Sequence, residues 1–391
     1  MKTVKITLIT LFSLITFSCT AKKDDLRNET SVLALQTAET ITPTPKPDKT
    51  TIKVALLLDT SNSMDGLIDQ AKSQLWKIIN ELSYAKCEHV SPKLEIALYE
   101  YGNDDLEKSD DYIRQVIGFS SDLDEISEKL FSLDTNGGSE FCGAVIKSSL
   151  KNLKWGKEKN DLNIIFIAGN EAFTQGTTSY ENVIADAVEK DVVVNTIFCG
   201  DYKNGISGKW KNAAVLGKGE YLTINQNKKI VYIATPYDEI IIKLNKKLND
   251  TYIYYGSNGR KKMTLQASQD DKAYEMNEEV VVARAVSKSS KNYFNSKWDL
   301  VDAEKEEDFD YKKIDKKKLS KDLQNKSTAE LKAHVGKQAV KRKVIQKEIQ
   351  KINKQRDAYL LKNKKENTDD ELESVMINAI KNQAKRKNYS W

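Results

Sequence analysis

The chain has 391 residues, of which 39% are hydrophobic and 30% are charged, and its net charge is +5 at pH 7. This length accommodates a sizeable core and two domains, and the small net charge creates no large field around the whole molecule. Only two histidines occur, His89 and His334, and neither has a carboxylate at a metal-binding or catalytic spacing. Zinc hydrolysis and Ser–His–Asp chemistry are therefore poorly supported.

Residues 1–18 have the pattern of an export signal. Lys2 and Lys5 precede an apolar stretch that is too short to predict a membrane span. Cys19 follows a small residue in a context that resembles the lipobox of bacterial lipoproteins, so we expect cleavage to leave a lipidated Cys19 at the N-terminus. The alternative is an ordinary signal peptide followed by an incidental cysteine.

Residues 19–50 are rich in threonine, proline and charged residues and show no sustained hydrophobic period. Such a composition predicts a disordered tether, which at about thirty residues would reach at most ~100 Å. Together with Cys19, the tether predicts a lipid-anchored protein of the cell envelope. We expect it to be attached to the outer membrane and to face either the periplasm or the surface.

Residues 51–250 alternate between apolar strands and amphipathic helices. The runs TIKVALLL, LNIIFIAG and DVVVNTIFC have the composition of buried parallel strands. Shorter strands are predicted at KLEIALYEY, DYIRQVIGF, EYLTI and KIVYIAT. The segments between the strands carry apolar residues at helical spacing. This alternation predicts an α/β fold, with a doubly wound, mostly parallel sheet covered by helices on both faces.

Residues 251–391 are predicted to form a helical region, which includes the stretch DDKAYEMNEEVVVARAVSKS. Near its end, a long helix from 329 to 365 has an apolar stripe at near-heptad spacing that Arg342 and Arg356 interrupt. A second helix follows a capping-box pattern at Thr368 and Glu371. We expect these two helices to bury their stripes against each other in a hairpin. The alternative is a coiled coil between two copies of the chain.

Basic residues far outnumber acidic ones in the first of these two helices. Nucleic acid is not expected as a partner, because export would separate the chain from it. A solvated helix face is favoured over contact with anionic lipid headgroups or acidic envelope polymers.

Three oxygen side chains, those of Asp59, Ser61 and Ser63, follow the first strand in the stretch LLLDTSNSMDG. Ligands of open α/β sheets lie at the carboxyl ends of the strands, and hard cations such as Mg²⁺ prefer oxygen ligands. The three side chains therefore predict a cation site, with capping of the next helix as the alternative. Because the set contains only one carboxylate, it would leave a cation electrophilic and favour an incoming carboxylate from a partner.

Asp59-Thr60-Ser61-Asn62-Ser63 after an apolar strand resembles the Asp-Xaa-Ser-Xaa-Ser motif of von Willebrand factor type A (vWA) domains, and the likeness extends over about residues 51–250. NGGSEFCGAVI resembles the family's second metal loop, with Ser139 in the place of threonine, and WKNAAVLGKGEYLTI resembles its late helix and strand. The resemblance implies a metal-ion-dependent adhesion site for Mg²⁺, or for Mn²⁺ or Ca²⁺. It also implies a protein partner that offers a carboxylate ligand.

The third metal loop departs from the family pattern. The central strand of the family ends in Thr-Asp-Gly, where the aspartate supports the metal, but Gly169 occupies that position in this chain. Glu171 and Asp201 are the two candidates for replacing the missing carboxylate.

Two cysteines are expected near the metal loops, since Cys142 begins the helix after Ser139 and Cys199 ends a strand of the sheet. In an oxidising compartment we expect a disulfide between them, which would leave Cys87 as a free thiol. A nucleophilic Cys142 beside Glu140 is the competing hypothesis, and the lack of an accompanying histidine opposes it.

These patterns predict a lipid-anchored, metal-dependent binding module rather than an enzyme. One alternative is a structural scaffold that assembles through its C-terminal helices and carries a vestigial metal site. The other is an enzyme of the cell envelope, which the absence of an acid–base or nucleophile constellation opposes.

Overall fold

The computed structural model describes residues 50–225, 227, 232–363 and 372–391. The predicted signal sequence, the tether, Cys19 and the capping-box pair Thr368 and Glu371 lie outside these residues. From residue 50 onwards, the described residues form one compact unit. The predicted division of the sequence at residue 250 stays a prediction. None of the helices in the described ranges combines the length and the hydrophobicity needed to cross a bilayer.

The described residues form a central six-stranded sheet with the strand order β4-β3-β1-β5-β6-β7, and a short sheet that pairs β2 with β8. The strands are β1 (Thr51–Asp59), β2 (Lys86–Cys87), β3 (Lys93–Tyr101), β4 (Ile113–Ser120), β5 (Leu162–Gly169), β6 (Val192–Cys199), β7 (Lys218–Ile224) and β8 (Tyr389–Ser390). In the central sheet all neighbours are parallel except β4, which runs antiparallel at the edge. The predicted α/β fold with a doubly wound, mostly parallel sheet is confirmed.

The helices in the described ranges are α1 (Asp65–Leu82), α2 (Leu123–Phe131), α3 (Cys142–Asn152), α4 (Tyr180–Glu189), α5 (Tyr202–Ser207), α6 (Trp210–Leu216), α7 (Asp238–Asn249), α8 (Gly259–Met276), α9 (Glu278–Lys288), α10 (Leu300–Ala303), α11 (Lys321–Gln324), α12 (Thr328–Asn363) and α13 (Leu372–Ala384). One apolar cluster joins the sheet to α3, α4 and α6, and a second joins its other face to α1, α2 and the C-terminal helices. The sheet is thus buried on both sides, which explains why its central strands are continuous apolar runs.

Strand order reverses around β1, whose first neighbours are β3 on one side and β5 on the other. Helix α1, which follows β1, packs on one face of the sheet, and α3, which precedes β5, packs on the other. Open α/β sheets place their ligand sites at this kind of position.

The prediction of a helical hairpin is wrong, because α12 and α13 pack mainly against other elements. On α12, Arg356 Nε lies 2.7 Å from Asp238 Oδ1 of α7. On α13, the amide of Glu373 donates to Gln74 Oε1 of α1 at 2.5 Å. The stripe of α12 is also closed to a second copy of the chain, because its apolar residues are buried within the same chain: Leu331, Val335, Ile345, Ile349 and Ile352.

The arginines that interrupt the stripe are buried ionic contacts of α12. The Arg342 side chain, which is only 2% exposed, lies 2.6 Å from Asp299 and 3.2 Å from Asp302. Its guanidinium also stacks over the ring of Tyr252, with 3.9 Å between Cζ and the ring centroid. The basic residues that weaken the heptad pattern are therefore the ones that fix α12 to its own chain.

A second buried ionic network joins α8 and α9 to α2. Arg284 contacts Asp270 at 2.5 Å and Asp124 at 2.8 Å, and Lys288 contacts Asp270 at 2.9 Å. The side chains of Arg284 and Lys288 are 1% and 0% exposed. Because breaking a buried pair leaves an uncompensated charge, the network holds these helices in one arrangement.

Two local expectations also change. The predicted helical stretch that begins at Asp270 is split at Asn277, whose Oδ1 accepts from the amide of Val280 at 3.1 Å and so begins a new helix. Of the predicted strand KIVYIAT, residues 232–235 are not in a strand, and the remaining residues lie outside the described ranges.

Candidate functional site

The end of β1 brings the three predicted oxygen side chains together. Asp59 is the last residue of β1 and is fully buried. Its Oδ1 accepts a hydrogen bond from the amide of Ser61 at 2.8 Å, which turns the chain so that Ser61 and Ser63 follow on the same side. The hydroxyl oxygens of these two serines lie 3.2 Å apart. The local pattern Asp-Xaa-Ser-Xaa-Ser thus folds as the sequence predicts.

Two buried acceptor oxygens of this site have no hydrogen-bond donor among the described residues, namely Asp59 Oδ2 and Asn170 Oδ1. Asn170 follows β5, and its Nδ2 donates to Ser63 Oγ at 3.0 Å, which leaves its carbonyl oxygen as the open group. A buried acceptor without a donor costs about 1–3 kcal/mol. Oxygens of this kind are the groups that a hard cation would satisfy.

Glu140, which is not among the ligands predicted from the sequence, brings a second carboxylate to this site. It lies just before α3, is 5% exposed and borders Gly102 together with Asp59. Burial raises the pKa of Asp59 well above its ordinary value, and the adjacent Glu140 raises it further. Burial also raises the pKa of Glu140. Two carboxylates this close repel each other, and a cation between them would remove that repulsion. The available signal was its position directly after Ser139.

Glycines allow the metal loops to approach each other. A Cβ on Gly102, whose φ is +78°, would lie 2.8 Å from Glu140 Cγ and 2.9 Å from Asp59 Oδ1. A Cβ on Gly138 would lie 2.5 Å from the carbonyl oxygen of Gly102. The amide of Glu140 then donates to Gln175 Oε1, which ties the second loop to the third.

The environment of Gly169 explains why no carboxylate occupies the family's third position. A Cβ there would lie 2.6 Å from Tyr101 Oη and 3.0 Å from Asp59 Oδ2. Tyr101 is fully buried, and its hydroxyl donates to the carbonyl oxygen of Ala168 at 2.9 Å. The tyrosine hydroxyl thus fills the space that a side chain at residue 169 would need.

The remaining sequence candidates differ in how they relate to the site. Ser139 is half-buried and adjoins Glu140 in the second loop. Glu171 is exposed, and its backbone oxygen accepts from Trp210 Nε1 at 2.7 Å. Asp201 is also exposed, and its Oδ1 accepts from the amides of residues 203 and 204, so it caps α5 instead of joining the metal loops.

The predicted disulfide is wrong, since Cys142 and Cys199 are both free and buried. Cys142 belongs to the apolar cluster with α3 and α4, whereas Cys199 belongs to the cluster on the opposite face of the sheet. Burial raises the pKa of both thiols, which opposes a nucleophilic role for Cys142. Cys87 is free as well.

The donor set is rich in neutral oxygens. Within the described ranges, no three histidine, cysteine, aspartate or glutamate side chains come together as a metal cluster. The site instead combines two carboxylates, two hydroxyls and one amide carbonyl: Asp59, Glu140, Ser61, Ser63 and Asn170. This set fits a hard divalent cation better than it fits zinc, which prefers nitrogen and sulfur ligands.

A family model described as von Willebrand factor type A domain matches residues 53–208. The chain therefore contains a vWA domain, as the resemblance of its first two metal loops implies. A comparison with curated proteins gives no match.

Similar solved structures cover somewhat less than half of the chain. The conserved hypothetical protein BatB from Bacteroides thetaiotaomicron is 15% identical over 44% of this chain and 90% of its own, with a TM-score of 0.34. The SpRpn10 VWA domain is 13% identical over 46% of this chain and 90% of its own, with a TM-score of 0.35. Proximal thread matrix protein 1 from the mussel byssus, with a zinc-occupied MIDAS motif, is 12% identical over 46% of this chain and 43% of its own. Its TM-score is 0.35.

Proposed function

We propose that this protein is a divalent-cation-dependent binding module of the cell envelope, which recognises a carboxylate of a protein partner at the carboxyl edge of its sheet. The observation that carries the proposal is the pair of buried acceptor oxygens without donors, on Asp59 and Asn170, beside the second carboxylate of Glu140. A cation would satisfy both oxygens and remove the repulsion between the two carboxylates.

Asp59, Glu140, Ser61, Ser63 and Asn170 would hold the cation, which we take to be Mg²⁺, with Mn²⁺ or Ca²⁺ as alternatives. The bound cation supplies an electrophilic centre for an incoming carboxylate. The chain's own residues orient the ligands, because the turn at Ser61 fixes Asp59 and the amide of Asn170 fixes the hydroxyl of Ser63.

Two further residues lie towards solvent at this edge. Ser139 adjoins Glu140 and is half-buried, whereas Glu171 is exposed. We place Ser139 as an additional hydroxyl ligand and Glu171 as a residue that meets the partner or binds the cation through water. Asp201 would not bind the cation, because its carboxylate caps α5.

The proposed location rests on the N-terminal sequence alone. A lipidated Cys19 and the Thr- and Pro-rich tether would hold the domain at the outer membrane. Incorporation of labelled palmitate into the wild-type chain, and its loss in Cys19→Ser, is the expected result. Equal labelling of both chains, or labelling of neither, would contradict the anchor.

Titration calorimetry of the full-length chain with MgCl₂ and MnCl₂ tests the cation site. Asp59→Ala and Glu140→Gln should each lower the affinity by about tenfold or more, since each removes a charged ligand. Asp201→Asn is the matched control, because it removes an exposed carboxylate from the same edge of the sheet and should leave the affinity unchanged. Equal affinities in all four proteins would contradict the site.

Partner binding separates the proposed function from its alternatives. Capture of an envelope protein that is lost on chelation and in Asp59→Ala, while the circular dichroism spectrum stays native, supports the binding module. Capture that survives both treatments favours a scaffold with a vestigial metal site. Turnover of an envelope substrate would favour an enzyme, for which the buried, high-pKa thiol of Cys142 offers no ready nucleophile.

A further inference from the structure

The long helix α12 has one face that the rest of the described residues leave uncovered. The helix contains 36 residues, so it is a rod of about 54 Å. Its inner face is fixed by the buried side chains of Arg342, Ile345, Ile349, Ile352 and Arg356. At about 100° per residue, the opposite side of the rod between residues 336 and 362 points away from these contacts. We call this side the outward face of α12.

The outward face is basic along its whole length. Within about 60° of its centre it carries five exposed lysines, which are Lys343, Lys347, Lys351, Lys354 and Lys362, and Lys337 lies on its flank. Within about 60° of the centre of this face, no acidic residue occurs between residues 336 and 362. Asp357 and Glu348 lie on its two flanks, and Glu348 contacts Lys351 at 3.6 Å. The face therefore presents a row of positive charge that the helix itself does not balance.

Three apolar side chains stand among these lysines. Val340, Val344 and Leu361 are 68%, 63% and 77% exposed, and the two valines lie one helical turn apart. A hydrated polyanion would neutralise the lysines but would leave these side chains in water. The boundary between lipid headgroups and acyl chains takes up both, because lysine stems extend along apolar surface while their ammonium groups reach the phosphates.

We propose that the outward face of α12 docks on an anionic lipid bilayer. A straight rod with charge on one side matches a flat surface, and clusters of lysines are drawn to the negative potential of anionic lipids. The docking does not depend on the cation site or on the lipid anchor. If the anchor is present, the outward face would add a second contact that orients the protein on the membrane.

Co-sedimentation with vesicles tests the proposal, using the full-length chain with Cys19→Ser. The vesicles are phosphatidylcholine alone or a mixture of phosphatidylcholine and phosphatidylglycerol. The first variant is Lys347→Gln/Lys351→Gln/Lys354→Gln. It should lower the partition coefficient on the mixed vesicles by about 100-fold at low salt, because each lysine strengthens binding by about fivefold. The apolar N-terminal residues are the same in every variant, so differences between variants report on the helix.

The matched control is Lys203→Gln/Lys246→Gln/Lys247→Gln, which removes the same charge from exposed positions on other helices. It should lower binding less than threefold. Equal loss in the two triple variants would overturn the proposal, because net charge alone would then explain binding. Equal binding of the parent chain to both kinds of vesicle would overturn it as well.

A third variant separates lipid from other polyanions. Val340→Ser/Val344→Ser keeps every charge, and we expect it to weaken vesicle binding at high salt, where the lysines are screened. It should leave any binding to soluble polyglutamate unchanged. Polyglutamate that displaces the parent chain from mixed vesicles at equal charge concentration would overturn the assignment to lipid.

Discussion

Adding a single methyl group at Gly169 should damage the candidate site, although this position carries an aspartate in the family pattern. The Cβ of Gly169→Ala would lie 2.6 Å from Tyr101 Oη and 3.0 Å from Asp59 Oδ2. Tyr101 would have to move, and its hydroxyl would lose the 2.9 Å hydrogen bond to Ala168. Gly169→Asp would add a third carboxylate beside two that already repel each other.

The expected cost follows from these contacts. Overpacking a well-packed interior costs about 1–3 kcal/mol. Leaving the buried Tyr101 hydroxyl or its acceptor without a partner costs about 1–3 kcal/mol more. Gly169→Ala should therefore lower the free energy of unfolding by about 2–6 kcal/mol. Gly336→Ala is the matched control, because nothing lies within 4 Å of the added Cβ. It should stabilise the helix by about 0.5–1 kcal/mol.

A double-mutant cycle with Tyr101→Phe assigns the cost to the hydroxyl. Phenylalanine removes the atom nearest to the new Cβ, so Gly169→Ala should cost at least ~1 kcal/mol less in that background. Urea unfolding followed by circular dichroism measures all four proteins. If Gly169→Ala costs the same in both backgrounds, or is as harmless as Gly336→Ala, the steric explanation for the missing aspartate is refuted.

Three further predictions concern the buried charges and thiols. Arg342→Met leaves Asp299 unpaired in the interior and should lower the free energy of unfolding by ~3–5 kcal/mol in urea. Burial opposes ionisation of Asp270, but its two basic neighbours outweigh it and hold the pKa of Asp270 well below the ordinary range. Its stabilisation is therefore complete above the unfolded pKa of ~4 and fades at lower pH, and acid titration of Asp270→Asn should lack this loss. Cys142 and Cys199 should be alkylated without reductant only after unfolding, and a disulfide-linked peptide in the mass spectrum would contradict this.

The strands of the sheet were predictable because each buried strand is a short apolar segment of the sequence. β5 coincides with the run LNIIFIAG, and β1 and β3 begin and end within one residue of their predicted limits. Burial on both faces demands continuous apolar residues, and a local pattern is enough to reveal that demand. The grouping of Asp59 with Ser61 and Ser63 is local in the same sense, since one turn brings them together.

The predictions of the disulfide and of the helical hairpin were wrong because both depend on which face of a strand or helix a residue occupies in the folded chain. Cys142 and Cys199 both lie near the rim of the sheet, but alternation along β6 turns Cys199 towards the opposite side. Arg342 looked like an interruption of an apolar stripe because its partner, Asp299, lies 43 residues away in sequence. No local pattern reports such long-range pairs.

The presence of a carboxylate at Glu140 and its absence at Gly169 have one structural explanation. A fully buried Tyr101 closes the space where the third loop would carry a carboxylate, and the second loop supplies one at the adjacent position, directly after Ser139. The third loop keeps a structural part, because Gln175 holds the amide of Glu140 and Asn170 holds the hydroxyl of Ser63. Charge at this site thus comes from the first and second loops, and the third loop sets their geometry. Glu171 is exposed, so a partner that approaches this edge would meet its charge in the third loop.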